Sequence, residues 1–332
     1  MAGYKNVMIL GEVSEGRISP ITKELLGCGK RLATDLGEEL IAVFIGHEIS
    51  TLAKQAIAFA ADTVYSVDAP FLQDYEADPY LVSMQRVLEQ EMPRILLLGQ
   101  TFMGQDLAPR LAFKLKTALV LDCVDLSIAP ETKLLLRTKP VYGGKALACF
   151  TSESYPQMAT VRSKSMQAAE RADSKKGKMI QVKANLDPSS FRTKILGRVT
   201  EKEEGVRLED AEVVVAGGRG IGSAEGFKQL EELAKTLKGA VGATRAACDN
   251  EWVPTTVQIG LTGKIVAPKL YIAVGLSGSS QHMAGCSGSG TIVAINNDSR
   301  AHIFKEAKLG VIGDWKIILP AFTRKVLEIF ES

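Results

Sequence analysis

A run of small and polar residues, 277–282, follows an apolar stretch near the C-terminal end of the chain. It is Ser-Gly-Ser-Ser-Gln-His and carries hydroxyl groups, one amide and one imidazole. Residues 271–276 before it are uncharged and mostly apolar, which predicts a buried strand. Small residues at the carboxyl end of such a strand let a ligand approach the backbone, whose N–H groups can bind an anion. The run is therefore a candidate ligand loop.

Three further predicted strands of the same region also end in glycine, hydroxyl or amide groups. These ends lie at residues 217–222, 243–246 and 296–298. Parallel strands bring their carboxyl ends to one edge of a sheet, where open α/β folds hold ligands. Four such ends predict a large cofactor lying across that edge.

Residues 217–222 are Gly-Gly-Arg-Gly-Ile-Gly, between a predicted strand and a predicted helix that runs to Leu237 and ends at Gly239. This order is typical of a turn that binds pyrophosphate through backbone N–H groups. A nicotinamide dinucleotide site would also need an acid about 20 residues further on, to hold a ribose. Arg245 stands there instead, which disfavours a NAD(P)-dependent dehydrogenase. That enzyme stays an alternative, and a second alternative is an adenine-nucleotide-binding protein that is not an enzyme.

Composition and charge exclude several classes of partner. Lys and Arg number 40 against 38 for Asp and Glu, a balance that does not favour nucleic acid or an anionic membrane. No apolar run reaches the length of a membrane helix. The five cysteines are scattered without a C-x-x-C pair, which argues against a metal site and predicts a reducing cytoplasm.

The length of 332 residues and the order of elements predict two α/β domains, each a mostly parallel sheet flanked by helices. We expect an N-terminal domain over residues 1–205, with a linker from about residue 184, and a Rossmann-like domain over residues 206–332. The sequence also predicts one strand over residues 119–126, a helix capped by Asp106, and a C-terminal helix that starts at Pro320.

The motifs together resemble the signature of electron transfer flavoprotein α subunits, and the similarity covers essentially the whole chain. They are residues 270–278, Gln281-His282-x-x-Gly285 and 292–296, with 106–112, 140–144, 217–220, 242–247 and 262–268. The resemblance implies FAD in the C-terminal domain and an N-terminal domain without a nucleotide. It also implies a heterodimer with a β subunit. Such a heterodimer carries electrons from a dehydrogenase to a downstream acceptor and converts no substrate itself. The dehydrogenase can be an acyl-CoA dehydrogenase, and in a bifurcating complex NADH or ferredoxin takes part.

Carried over by position, the resemblance assigns a set of cofactor-binding residues. Those expected to hold the adenosine diphosphate half are Arg219, Ser277, Asn296 and Asp314. Those expected around the flavin ring are Thr244, Arg245, Thr262, Gln281 and His282. The remaining expected contacts are Gly260, Leu261, Gly278, Ser279, Ser280 and Trp315.

Two of these assignments carry chemistry. One-electron reduction places negative charge on the flavin, which Arg245 and a donor such as His282 would stabilise. The hydroxyl of Thr262 would donate to N5 of the ring. Leu261 stands where many members of the family have glutamine, and Ser279-Ser280 makes the loop more polar than usual, so the flavin potential is left open.

Overall fold

The computed structural model describes residues 3–14, 16–144, 146–184 and 206–331, together with residues 186, 191, 193 and 195–197. The chain divides into two compact units. Unit 1 comprises residues 1–141 and 146–199, and unit 2 comprises residues 142–145 and 200–332. The predicted boundary near residue 205 and most of the predicted linker lie outside the described residues.

Unit 1 alternates strands and helices, as the sequence predicted. Its strands are β1 (Lys5–Gly11), β2 (Val13–Ser14), β3 (Arg17–Ile18), β4 (Leu40–Gly46), β5 (Thr63–Asp68), β6 (Pro93–Gly99), β7 (Leu119–Cys123), β8 (Asp125–Ile128), β9 (Leu135–Val141), β10 (Ala146–Phe150), β11 (Gln157–Val161) and β12 (Lys178–Val182). Its α-helices are α1 (Pro20–Leu36), α2 (Ser50–Ala58), α3 (Ala77–Glu91) and α4 (Phe102–Leu115).

The main sheet of unit 1 is parallel and covered on both faces. Its strand order is β12-β5-β4-β1-β6-β11-β7. Val7 and Ile9 of β1 pack with α1 and α2 on one face, and Met8 and Leu10 pack with α3 and α4 on the other. Because both faces are buried, the central strands β1, β4 and β6 contain continuous apolar runs without alternation.

The single strand predicted over residues 119–126 is wrong. β7 belongs to the main sheet, whereas β8 joins β9 and β10 in a separate antiparallel sheet. Asp122, with φ of 64°, breaks the extended run, and its carboxylate pairs with Arg162 at 2.6 Å. Periodicity could not show this break, because the apolar residues continue across it.

The cap predicted at Asp106 is also wrong. Thr101 caps α4, with its Oγ1 accepting from the Gly104 N–H at 3.1 Å. Asp106 lies one turn inside, where it accepts from the Tyr75 hydroxyl and pairs with Arg110 at 2.9 Å. Pro109 lies in the interior of the helix, where a proline usually kinks or breaks the helix.

Glu12 follows β1 at the carboxyl edge of the main sheet. Thr101 Oγ1 donates to its Oε1 over 2.8 Å. Burial raises the pKa of the Glu12 carboxyl to about 7, and the hydrogen bond from Thr101 opposes only part of that rise. Ionised Glu12 therefore destabilises unit 1.

Replacing Glu12 by glutamine is expected to stabilise unit 1 at about pH 8 and to change little at about pH 5. The pKa of Glu12 is raised from 4.5 to about 7, so the folded state loses stability as pH rises through that interval. That gap corresponds to about 3 kcal/mol at most, and partial exposure reduces the expected gain to about 1–2 kcal/mol. Urea unfolding at both pH values measures the change in the free energy of unfolding. Glu131→Gln, at an exposed position, is the control. An equal effect of the Glu12 variant at both pH values would contradict the assignment.

Unit 2 contains one parallel sheet. Its strands are β13 (Val213–Gly217), β14 (Ala240–Ala243), β15 (Leu270–Val274), β16 (Thr291–Asn296) and β17 (Leu309–Ile312). Its α-helices are α5 (Ala224–Thr236), α6 (Arg245–Asp249), α7 (Ser280–Met283), α8 (Ile303–Glu306) and α9 (Trp315–Glu331). The strand order is β14-β13-β15-β16-β17, with each neighbouring pair parallel. The fold class predicted from the sequence is confirmed in both units.

The ends of two helices differ from the prediction. α9 starts at Trp315, five residues before Pro320, which lies inside it. After α5, the left-handed conformation falls on Lys238, with φ of 53°, and Gly239 follows it. In the part of the chain that is described, no helix is both long enough and apolar enough to span a bilayer.

Candidate functional site

A cleft of about 780 Å³ lies at the carboxyl edge of the unit 2 sheet. The chain passes from β13 to β14 on one side and returns to β15 on the other, so β13 and β15 flank the point where open α/β sheets bind ligands. Twelve of the residues predicted for the cofactor line this cleft: Arg219, Thr244, Arg245, Gly260, Leu261, Thr262, Ser277, Gly278, Ser279, Gln281, His282 and Asn296.

The glycine-rich turn after β13 packs against the end of β15. The Gly218 N–H donates to Val274 O at 3.0 Å, and the Gly220 N–H donates to Gly275 O at 2.8 Å. A Cβ on Gly218 would lie 2.5 Å from backbone atoms of residues 275 and 276. These two N–H groups are therefore occupied within the protein, and the pyrophosphate role expected for them is not what their geometry provides.

The loop after β15 supplies free N–H groups instead. Within the described part of the chain, the backbone N–H groups of Ser277, Gly278 and Ser279 have no hydrogen-bond acceptor. Gly278 has φ of 77°, and its position is fixed because Ile303 N–H donates to Ser277 O at 3.0 Å. Successive free N–H groups around a left-handed glycine are a favourable setting for an anion.

Asn296 connects this loop to the next strand end. Its side-chain N–H donates to Leu276 O at 2.9 Å, and its carbonyl accepts from the Asp298 N–H at 3.0 Å. The side chain is buried, with 9% exposure, so the amide holds the two loops at a fixed separation. Asp298 also lines the cleft and brings a carboxylate to it.

Thr244 and Arg245 follow β14. The Thr244 N–H donates to Gly217 O at 3.0 Å, which fixes the start of α6 beside β13. Among the residues that the structure describes, none is a hydrogen-bond partner of the buried Thr244 hydroxyl, although Thr244 lines the cleft. Arg245 is exposed, and its Nε lies 3.4 Å from a carboxylate oxygen of Asp249, one turn further along. A positive guanidinium thus stands at the cleft wall.

The segment 258–263 forms another wall. Leu261 N–H donates to Gln281 O at 2.7 Å, and Gly260, with φ of 144°, packs closely on the same carbonyl. Gln258 Nε2 donates to Thr262 Oγ1 at 3.1 Å. Leu261 is 65% exposed and presents an apolar side chain beside these polar groups.

His282 is held by two hydrogen bonds inside the protein. Its Nδ1 lies 3.1 Å from Ile259 O, and its Nε2 lies 2.8 Å from the Tyr271 hydroxyl. A carbonyl oxygen only accepts, so Nδ1 carries the proton and Nε2 accepts from Tyr271. Burial lowers the pKa of His282 to about 4. The ring is neutral with both nitrogens engaged, which differs from the donor role expected from the sequence.

We expect nuclear magnetic resonance of labelled histidine to find His282 as the Nδ1–H tautomer, still neutral at about pH 5. Because the pKa of His282 lies below its unfolded value of 6.5, it contributes stability that is lost as pH falls from 6.5 to about 4. The loss amounts to about 3 kcal/mol at most. His47 and His302, both exposed, are internal controls. An Nε2–H tautomer would show that the ring donates elsewhere.

Three predicted residues are not among those that line the cleft. Trp315 is 8% exposed, and its indole N–H donates to Gly220 O at 3.1 Å, so it supports the glycine-rich turn. Asp314 accepts from the Lys316 N–H at 3.0 Å and starts α9. Ser280 begins α7. For these three, the structure shows roles in loop and helix geometry.

The donor set fits a dinucleotide-sized cofactor that carries phosphates. The unpartnered Thr244 hydroxyl and the free N–H groups of residues 277–279 face no protein acceptor among the described residues. Arg219 and Arg245 add positive charge, while Asp249 and Asp298 offset it. Polar side chains and glycines make up most of the lining, which suits a charged, phosphate-bearing ligand better than an apolar one.

Sequence reasoning missed Gln258 as a site residue and noted Asp298 only as part of a polar strand end. Gln258 lies outside any regular strand or helix, in a segment where no periodic pattern identifies neighbours. Asp298 follows the strand end that was recognised, so position alone could have identified it. Both line the cleft.

Comparisons with known proteins agree with this geometry. Residues 7–187 match the family model described as "Electron transfer flavoprotein domain", and residues 207–287 match "Electron transfer flavoprotein FAD-binding domain". The chain is 43% identical over 330 residues to the electron transfer flavoprotein subunit alpha of Thermoanaerobacterium thermosaccharolyticum, covering 99% of this chain and 100% of that protein. It is 40% identical to the subunit alpha of Bacillus subtilis over 325 residues (98% of each chain).

A further relative is the Protein FixB of Clostridium saccharobutylicum, 39% identical over 333 residues and covering 100% of this chain and 99% of that protein. The family resemblance expected from the sequence is confirmed, and unit 2 carries the FAD-binding domain of the family. This chain belongs to the electron transfer flavoprotein α-subunit family.

Proposed function

We propose that this chain, as the α subunit of an electron transfer flavoprotein, passes electrons through an FAD bound at the unit 2 cleft. The electrons come from a dehydrogenase and go to a downstream acceptor. The observation that carries the proposal is the cleft itself, where free N–H groups and an unpartnered Thr244 hydroxyl lie within a domain of the FAD-binding family. A bound FAD supplies the redox chemistry, since it accepts and releases electrons singly or in pairs.

The phosphate side of the site lies along the loop after β15. Ser277, Gly278 and Ser279 would bind the pyrophosphate through backbone N–H groups, and exposed Arg219 would pair with its charge. Asn296 holds this loop in place through Leu276 O. These roles use groups that the protein leaves free, which supports them over the glycine-rich turn.

The ring side lies between α6 and the segment 258–263. Arg245 would stabilise negative charge added to the flavin, and the hydroxyl of Thr262 would donate to it. Leu261 would exclude water from one side, because its side chain is apolar and exposed at the wall. His282 would keep the loop in shape through Ile259 O and the Tyr271 hydroxyl.

Exposed apolar side chains on the β17 edge and on α9 of unit 2 support a protein partner. The edge strand β17 exposes Leu309 (62%) and Ile312 (63%), and α9 exposes Ile317 (75%) and Phe330 (66%). A bare edge strand with exposed apolar side chains is a surface that proteins usually cover. Alpha subunits of this family pair with a β subunit, and we place that subunit on this surface.

Two rival functions fit the geometry less well. A NAD(P)-dependent dehydrogenase would use the N–H groups of the glycine-rich turn, but those of Gly218 and Gly220 donate to Val274 O and Gly275 O instead. A nucleotide-binding protein acting through unit 1 would leave the unit 2 cleft unused. From the sequence we also expect the electrons to come from an acyl-CoA dehydrogenase or through a bifurcating complex. We expect the protein to lie in the cytoplasm.

Co-expression with a β subunit tests the proposal. We expect a yellow heterodimer with flavin absorbance bands and flavin in stoichiometric amount. Release of the bound cofactor should identify FAD, and a nicotinamide dinucleotide in its place would favour the dehydrogenase. A colourless, folded, monomeric chain recovered beside the β subunit would refute the function.

A further inference from the structure

Gln258 contacts Thr262 within the cleft wall. Its Nε2 donates to Thr262 Oγ1 over 3.1 Å, and both residues line the cleft. Gln258 is 9% exposed, whereas Thr262 is exposed at the wall. A buried amide thus contacts the one hydroxyl of this segment that faces open space.

Several contacts fix the backbone of Gln258 in position. Gln258 O accepts from the Lys264 N–H at 2.7 Å, and the Gln258 N–H donates to Thr255 O at 3.1 Å. A Cβ on Gly263 would lie 2.4 Å from Gln258 O, so the turn closes tightly on this residue. Its neighbour Ile259 is tied to β14 because its N–H donates to Ala243 O. These contacts fix the backbone from which the Gln258 side chain reaches Thr262.

A hydroxyl has one proton to donate and two positions that accept. In Thr262, one accepting position is taken by the Gln258 N–H, so the proton of the hydroxyl is free for another acceptor. We propose that Gln258 is a positioning residue that holds the Thr262 hydroxyl as a hydrogen-bond donor toward the flavin ring. The inference rests on the proposed binding of FAD in this cleft.

The direction of this hydrogen bond matters for electron transfer. Negative charge grows on the ring when an electron arrives, and a donor stabilises that charge more than it stabilises the oxidised ring. A hydroxyl turned to accept would have the opposite effect. Gln258 therefore raises the potential of the first electron without contacting the ring.

The test compares the potential of the first electron in the heterodimer and in Gln258→Glu. Glutamate has the same shape, but its carboxylate only accepts, so it takes the Thr262 proton away from the flavin. We expect the potential to fall by about 59 mV, equivalent to a tenfold change in the one-electron equilibrium. Spectroelectrochemical titration of the bound flavin measures it.

Thr262→Val separates the hydrogen bond from the added charge. In that background, Gln258→Glu keeps its charge but has no hydroxyl to turn, so the shift should be less than half as large. Equal shifts in both backgrounds would overturn the proposal. Gln258→Leu, measured in the wild-type and Thr262→Val backgrounds, removes the amide without adding a charge. It replaces Gln258→Glu in the test if the glutamate variant loses its flavin. Absence of FAD from the unmodified heterodimer would instead refute the proposed function.

Discussion

Replacing Gly278 by alanine is expected to weaken FAD binding by about 100-fold, or about 2.8 kcal/mol, while leaving unit 1 folded. Gly278 has φ of 77°, a conformation that costs a residue with a side chain roughly 1–2 kcal/mol. The new Cβ would also lie 2.4 Å from Ile303 N and 2.6 Å from Ile303 Cα, which are backbone atoms and cannot rotate away. The loop must shift, and with it the free N–H groups proposed to hold the pyrophosphate.

Flavin content after purification and titration with FAD measure this effect. Gly222→Ala is the matched control, since Gly222 has φ of 89° but a Cβ there meets nothing within 4 Å. It incurs the conformational cost without the collision and should keep its FAD. A Gly278→Ala heterodimer with full flavin content would contradict the role of this loop.

The contrast between these two glycines shows what the sequence could and could not predict. Pattern and spacing identified the polar strand ends 217–222, 243–246, 277–282 and 296–298. The five strands β13 to β17 form one parallel sheet, which brings these strand ends to one edge, as expected. Sequence pattern does not say which N–H groups a neighbouring carbonyl already occupies. The glycine-rich turn was therefore assigned an anion role although the N–H groups of Gly218 and Gly220 already donate to Val274 O and Gly275 O.

The errors about two prolines and one missed contact have a similar cause. Pro109 was expected in the first turn of a helix and Pro320 at the start of one, because proline is favoured there, yet both lie further inside their helices. Gln258 lies in an irregular segment, so its contact with Thr262 depends on a turn that only the folded chain shows. Long buried strands and helices such as β1 and α1 were predictable because their apolar runs and caps are local.

Arg245→Ala is expected to lower the potential of the first electron by at least about 59 mV, equivalent to a tenfold change in the one-electron equilibrium. Arg245 lines the cleft and follows Thr244, whose N–H is fixed to Gly217 O at 3.0 Å. In the proposed site its guanidinium would stabilise the negative charge that reduction adds to the flavin, and no neutral side chain could replace that attraction. Since the side chain is 69% exposed, its removal leaves no buried cavity and the fold should be retained.

The neighbouring acid gives a control of opposite sign. Asp249 lies 3.4 Å from Arg245 Nε and lines the same cleft, so Asp249→Asn removes a negative charge and should raise the potential. Arg245→Lys keeps the positive charge and should retain most of the wild-type value. Potentiometric titration of the three heterodimers at equal ionic strength compares them, because salt screens exposed charges. An unchanged potential in Arg245→Ala, with FAD still bound, would mean that the guanidinium does not act on the flavin.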